Sequence, residues 1–314
     1  MDGFNLFTRH YIAHPAMSEN GEQVGGIVGF FNNLTRLIVK CRPESIYIIW
    51  EGGGSKRKRD LYKDYKKGSK PQKLNRYYDD IPDTLENRNF QLANLIKLLN
   101  CFPIYQIYIE DAEADDIIGY LCKYKFKNKN KIIISSDHDF YQLVNKDVII
   151  WSPTLKNFVD TNKVIERYGI HPNNFCLAKS IVGDKSDNIP GVNRVGFKTL
   201  AKKYPILTDS VQYFIQDVLD MSKTIINEGK ATKAINEIYN SKNLIERNYK
   251  LVLLDMNNLA HFQLEKINQK IENFELTWKN MNAHKHLSEL GIKSINLLSC
   301  GQIFRQLKSR NKNG

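Results

Sequence analysis

The sequence predicts an α/β protein: a mostly parallel sheet with helices on both faces, followed by a helical carboxyl-terminal region. Three observations carry this. Short apolar runs of strand length alternate with segments of helical periodicity up to residue 151. Acidic residues recur at the ends of those runs. From residue 161 onward helical spacing dominates.

The elements follow in order. Val24, Ile27, Val28, Phe31, Leu34 and Ile38 recur at helical spacing, so residues 22–40 read as an amphipathic helix. Residues 46–50 (IYIIW) read as a buried strand, broken by Gly52-Gly53-Gly54. A basic stretch follows. It mixes Tyr62, Tyr65, Tyr77 and Tyr78 among its cations and contains Gly68 and Pro71. So many charges are expected to project from the domain rather than join its core. Residues 84–100 read as a helix through Leu92, Leu95, Ile96 and Leu99. Residues 104–109 (IYQIYI) read as a strand and 112–124 as a helix that opens with acids. Residues 131–135 and 147–151 read as two more strands around a short helix at 138–144. Residues 206–310 read as largely helical without clear motifs, and the Lys/Asn-rich end, 307–314, is expected to fray. No internal repeat is visible.

Composition bounds the function. The chain has 314 residues, 42% of them hydrophobic, enough for a sizeable core. Mean hydropathy is -0.45, and no apolar run approaches the ~18 residues that span a bilayer. The start, Met1-Asp2-Gly3, carries no secretory signal pattern. Cys41, Cys101, Cys122, Cys176 and Cys300 form no C-x-x-C pair, which argues against a disulfide framework or a cysteine zinc site. A reduced, intracellular compartment is the expected setting, with no membrane partner. Net charge is +12, with ten Lys or Arg and two Asp in residues 56–76 alone. Such a segment suits a polyanion. A solvated charged loop or a membrane-surface patch is the competing reading.

The acids are the chemistry. Asp2 lies in DGFN and Glu51 follows IYIIW. Glu113, Asp115 and Asp116 (EADD) follow IYQIYI, and Asp137 and Asp139 (SSDHD) follow KIII. Loops after the carboxyl ends of parallel strands gather at one edge, so four segments would deliver acids to one place. Carboxylates that close repel unless cations join them. All-oxygen ligation suits Mg²⁺ or Mn²⁺, and two such ions roughly 4 Å apart hydrolyse phosphodiesters. A single acid can instead cap a helix or favour its dipole. Recurrence at four strand ends carries the metal reading.

Residues 183–204 read GDKSDNIPGVNRVGFKTLAKKY. Gly191 to Thr199 imitates a phosphate-binding P-loop, but Phe197 intervenes between Gly196 and Lys198 and no strand precedes it. A glycine hairpin between two helices fits better. It can grip a DNA phosphate without reading bases, with Lys198, Lys202 and Lys203 adding charge. A plain helix-turn-helix packing unit is the competing reading.

The order DG-x-N, strand–acid, Tyr/Lys segment, EADD, S-x-D-x-D and GD-x-x-DNIPGV-x-x-VG resembles the 5′-nuclease family over about residues 1–205. That family includes phage 5′-to-3′ exonucleases, flap endonucleases and the amino-terminal domain of bacterial DNA polymerase I. The resemblance implies a PIN-like nuclease domain at 1–160 with a helical arch at about 55–85. It also implies a helical region at 161–314 with a helix–three-turn–helix at about 176–205. By matched position it gives Asp2, Glu51, Glu113 and Asp115 to a first metal. Asp137, Asp139, Asp184 and Asp187 go to a second, with Asp116 nearby. Lys66 and Lys70 would hold the scissile phosphate, completing a catalytic set with Asp2, Asp115 and Asp137. Arg59 and Tyr65 on the arch would contact DNA, Tyr65 near the terminal base. So would Gly191, Val192, Arg194, Gly196 and Lys198 in the turn, with a K⁺ ion. The implied substrate is branched or 5′-ended DNA, with RNA–DNA hybrid left open, and the implied form is a monomer that works beside replication proteins.

Three departures stand out. Met1 abuts Asp2 where the family has an apolar strand, so the expectation is that the strand is lost or begins upstream. Glu51 replaces the usual Asp, one methylene longer. The usual arch arginine is Lys70, before Pro71, a point charge rather than a fork. Two alternatives remain open: a structure-specific DNA-binding protein with impaired catalysis, and a PIN-type ribonuclease, against which GDKSDNIPGV argues.

Overall fold

The computed structural model describes residues 1–68, 85–275 and 277–312. The fold is a mixed α/β one, small sheets flanked by many helices. Contacts divide the chain into two compact units.

The first unit comprises Met1–Glu51, Pro71–Ile109 and His261–Gly314. Strand β1 (Tyr47–Trp50) pairs in parallel with β2 (Tyr105–Tyr108), with Tyr47 opposite Tyr105 and their rings stacked at 4.4 Å. Both strands are the apolar runs that the sequence marks. The helix Gly3–Ala13, which periodicity does not reveal, starts beside β1. It can do so because Gly3 has no Cβ; one there would lie 2.7 Å from the Trp50 ring. The chain's start also supplements β1. The Ile49 amide donates to the Met1 carbonyl at 2.9 Å, and Asp2 forms a parallel bridge with Ile49. The predicted helices appear as Gly25–Cys41 and Leu85–Leu99. The motif-free carboxyl-terminal segment completes this core. Phe102 packs against Phe31, Trp278 and Phe304 at 4.9, 4.9 and 4.5 Å between ring centroids.

His10 gives this unit a pH dependence. Its imidazole abuts Gly29, and Nε2 has no hydrogen-bond partner among the described residues. Burial, with His14, Arg9 and Arg36 nearby, lowers its pKa from 6.5 to about 4. The unfolded chain therefore binds more protons between those values, so stability falls as pH drops from 6.5 toward 4. Urea unfolding at pH 7 and pH 5 checks this: His10→Gln is expected to reduce the difference between the two.

The second unit comprises Gly52–Lys70 and Glu110–Ala260. Strand β3 (Lys131–Ile134) pairs in parallel with β4 (Val148–Ser152), and β5 (Asn157–Val159) adds antiparallel to β4. The sequence reading lacks β5, whose three residues are too few for an alternating pattern. The acid-led helix, expected over 112–124, runs Ala114–Tyr120 and continues as a π-helical turn, Leu121–Lys125. The short helix at 138–144 is a 3₁₀ helix, His138–Leu143. Tyr168, Phe175 and Phe197 pack edge and face at 4.9–5.4 Å, seating the helices Pro172–Val182 and Phe197–Lys203 that flank the glycine segment. Residues 160 and 161 both lie in this unit. Among the described residues no helix is long and apolar enough to cross a membrane.

Candidate metal and DNA site

In the first unit, Asp2 caps the helix Gly3–Ala13, its carboxylate accepting from the Asn5 amide at 3.0 Å, and is 7% exposed. Glu51 follows β1 directly, two residues beyond the Asp2–Ile49 bridge. The longer side chain leaves the end of that strand acidic.

In the second unit the other acids fall into two groups. Asp139, Asp184 and Asp187 offer carboxylate oxygens that lie within 4.8 Å of one another. Local turns place them. Asp137 caps the 3₁₀ helix by accepting from the Asp139 amide at 2.8 Å. Asp184 and Ile189 exchange backbone hydrogen bonds at 2.8 and 2.7 Å, closing a tight loop. Asp184 Oδ1 also accepts from the Ser186 amide at 2.7 Å. Lys179, almost fully buried, pairs with Asp139 and with Asp184 Oδ2, the latter at 2.7 Å. Burial pushes the Asp184 carboxyl up, but Lys179 outweighs it and the pKa is lowered. Burial wins at Asp187, raising its carboxyl despite Lys66. An acidic group with one member resisting ionisation is short of positive charge, and its donors are all oxygens. That set fits a divalent cation of the Mg²⁺ or Mn²⁺ kind.

The second group surrounds Glu113, which is 1% exposed. Its Oε2 meets Lys58 Nζ at 2.6 Å and its Oε1 meets Lys66 Nζ at 2.8 Å. The Tyr65 hydroxyl donates to it at 3.0 Å. Burial alone would raise the Glu113 pKa; the two ammonium groups bring it to about 2. Lys58 also bonds Asp116 Oδ2 at 2.9 Å. Asp115 projects half-buried from the same helical turn. Lys66 joins the two groups, since its Nζ also lies 3.9 Å from Asp187 Oδ2 and its amide donates to the Asp187 carbonyl at 2.9 Å.

Lys58 and Tyr65 of the basic stretch are buried, while most of its described residues are exposed. Residues 56–61 form a helix, and Lys58 on it is 4% exposed because two carboxylates neutralise it. Tyr65 is buried, its hydroxyl donating to Glu113, with Lys66 Nζ 5.2 Å from its ring centre. Arg59 is exposed, beside Asp111 at 3.5 Å. Lys70, Pro71, Tyr77, Tyr78 and the arch beyond residue 68 lie outside the described residues.

The glycine segment is a hairpin between helices. A Cβ on Gly191 would lie 1.9 Å from the Val182 carbonyl oxygen, so only glycine lets the two strands of the turn close. Val192 is buried, its amide bonded to the Ile181 carbonyl at 2.8 Å. Arg194, at φ 60°, and Lys198 are exposed. Gly196 differs from Gly191: a Cβ there meets nothing within 4 Å, leaving open space at the start of the helix Phe197–Lys203. Asn248 braces the turn from behind, donating to the Ser180 and Pro190 carbonyls at 3.0 and 2.7 Å. The pair Gly191→Ala and Gly196→Ala separates two roles. Gly191→Ala is expected to lower the thermal midpoint by several degrees, because the turn must open. Gly196→Ala is expected to leave the midpoint unchanged, so a loss of duplex affinity in it, read by anisotropy, reports the phosphate approach alone.

Sequence reasoning missed Lys58, Lys179 and Asn248. A lysine inside an apolar helical face, as in NNFCLAKSIV, is the signal that could have marked Lys179; Lys58 lies among other cations and carries no such mark.

Comparisons with known proteins identify the family and the fold. The family described as 5′-3′ exonuclease, N-terminal resolvase-like domain, matches residues 1–169. The 5′-3′ exonuclease of Aquifex aeolicus is 29% identical over 99% of this chain and 97% of its own length. That of Buchnera aphidicola subsp. Baizongia pistaciae is 30% identical over 92% and 93%. Among solved structures, the T5 D15 protein co-crystallised with metal ions shares the fold at a TM-score of 0.63, with 20% identity over 92% of this chain and 96% of that one. The flap endonuclease-1 of Methanococcus jannaschii gives 0.55 at 15% identity, over 99% and 91%. With more than half its length inside the family domain and relatives alike from end to end, the chain belongs to the 5′-3′ exonuclease and flap endonuclease family of nucleases.

Proposed function

We propose that the chain is a metal-dependent 5′-nuclease that hydrolyses DNA phosphodiesters at free 5′ ends and at 5′-flap junctions, leaving 5′-phosphates. One observation carries the reading: Asp139, Asp184 and Asp187 converge in a family member whose relatives bear the name 5′-3′ exonuclease. When bound, two Mg²⁺ ions, or Mn²⁺ in their place, supply an activated water and the charge that a leaving oxygen requires. The remaining tasks fall to the chain. Asp139, Asp184 and Asp187, with Asp137, would hold one ion, and Asp115 would serve the other as well. The sequence motifs assign Asp2, Glu51 and Glu113 to that other ion, with Asp116 beside it. Lys66 directs its ammonium group toward the scissile phosphate, between the two carboxylate groups that it already touches. Lys70 is proposed for the same task. Arg59, Arg194 and Lys198 contact the DNA backbone, and the turn 191–196 holds a phosphate with K⁺. The setting is proposed as cytoplasmic, in replication or repair, with a monomer acting on DNA or on an RNA–DNA hybrid beside replication proteins.

The test compares a 5′-labelled flap DNA with single-stranded RNA of the same sequence. Cleavage near the flap junction, in preference to the RNA, is expected. Preferred cleavage of the RNA would favour a PIN-type ribonuclease, and tight flap binding without cleavage would favour a DNA-binding protein.

A further inference from the structure

We infer that Asn258 is a positioning residue for the EADD carboxylates, delivered to them by a strap formed by residues 252–258. The inference rests on the nuclease reading above. Asn258 lies well outside the family domain, which ends at residue 169, and in a segment without motifs.

The strap is held at successive points against the 3₁₀ helix His138–Leu143, the EADD helix and its π-helical continuation. The Gln142 side chain donates to the Val252 carbonyl and accepts from the Leu254 amide, both at 3.0 Å. Lys123 Nζ donates to the Leu254 carbonyl at 2.6 Å, and the Tyr124 hydroxyl to Asp255 Oδ2 at 2.6 Å. Gly119 provides the clearance: a Cβ there would stand 3.0 Å from Leu254 Cβ. A 3₁₀ turn, Met256–Asn258, then ends the strap.

The Asn258 amide has one workable orientation. Its Nδ2 donates to Asp116 Oδ1 at 2.7 Å and to the Leu253 carbonyl at 2.5 Å. Its Oδ1 accepts from Arg57 Nη1 at 2.7 Å. A flipped amide would set oxygen against two acceptors and nitrogen against a guanidinium. Asp116 is 1% exposed, and its other oxygen meets Lys58. Lys58 in turn meets Glu113. The chain of contacts thus runs from Asn258 through Asp116 and Lys58 to Glu113. A buried carboxylate depends on every donor it has. Without Asn258, Asp116 swings to Lys58 alone, and Lys58 no longer holds Glu113 in register. Small misplacements of that kind cost rate rather than affinity.

The experiment uses the full chain and three variants: Asn258→Ala, Arg57→Met, and Asn257→Ala as the control. The Asn257 side chain bonds Asp255 and faces solvent. Rates are read at saturating flap DNA in Mg²⁺, and DNA affinity and thermal midpoints in EDTA. Asn258→Ala is expected to slow cleavage about tenfold, or about 1.4 kcal/mol, with DNA affinity in EDTA within about twofold of wild type. In an Asp116→Asn background it should add little to either the rate or the midpoint, because it acts through Asp116. Arg57→Met, made on an exposed side chain, should slow cleavage less but in the same direction, and serves if Asn258→Ala does not fold. Wild-type rates in both variants, additive effects in the Asp116→Asn background, or affinity falling with rate would each overturn the inference. If wild type itself does not cleave, the nuclease reading fails, and the midpoint cycle in EDTA still decides whether Asn258 and Asp116 are coupled.

Discussion

Asp184→Asn is expected to lower the cleavage rate at least about 10²-fold while the chain keeps its fold. The substitution removes charge and little else. Asp184 Oδ1 accepts from the Ser186 amide at 2.7 Å and the Ser186 hydroxyl at 2.5 Å, and an amide oxygen can replace it in both. Oδ2 is different, for it faces Lys179 Nζ at 2.7 Å. An amide nitrogen there meets an ammonium group, so Lys179 must turn toward Asp139. The group of three carboxylates is reduced to two, and its attraction for a divalent cation falls with it. Two readouts check this: the single-turnover rate on flap DNA, and the Mg²⁺ concentration at half-maximal rate, which should rise. An unchanged thermal midpoint separates lost chemistry from lost folding. Full activity in Asp184→Asn would remove the metal assignment for this group.

The second large effect is expected at Lys66. Its backbone adopts a left-handed φ of 54°, held by the hydrogen bond that its N–H donates to the Asp187 carbonyl. This aims the ammonium group between Glu113 and Asp187. Lys66→Met is expected to reduce the rate by about 10²-fold or more, as loss of a preorganised charge at a transferring phosphoryl group does. Lys66→Arg should recover only part of it, because the planar fork cannot enter the same gap as a point charge. Lys58→Met acts otherwise. It leaves Glu113 and Asp116 buried without the cation they share, so stability is expected to fall by about 3–5 kcal/mol. Thermal unfolding in EDTA reads that directly, and a Lys58→Met chain as stable as wild type would contradict the buried-pair account.

The strands and the carboxylates were legible in the sequence for one reason. IYIIW, IYQIYI and KIII are short apolar runs, and Glu51, Glu113, Asp115, Asp116, Asp137 and Asp139 each follow one closely, whereas Asp184 and Asp187 follow a helix and are marked only by their motif. The glycine hairpin was legible because Gly191 and Gly196 interrupt two helical stretches, and the structure gives Gly191 its reason, since no Cβ fits there. The long-range partners were not. Lys58 reads as one cation among ten in its stretch, and only the fold brings it to Glu113 and Asp116. Tyr65 looks like an exposed aromatic among charges, yet Glu113 draws it inside. Phe304 belongs to the core around Phe102, about two hundred residues away, and periodicity says nothing about which distant helix covers a given surface.

The most direct test of the account is cleavage of a 5′-flap DNA as Mg²⁺ is titrated into protein first stripped with EDTA. The account predicts no product without the metal and a rate that rises and saturates with it. Cuts should fall at the flap junction, and Asp184→Asn should shift the curve to higher Mg²⁺. Cleavage that persists in EDTA, or a chain that binds the flap and leaves it intact at every Mg²⁺ and Mn²⁺ concentration, would contradict it.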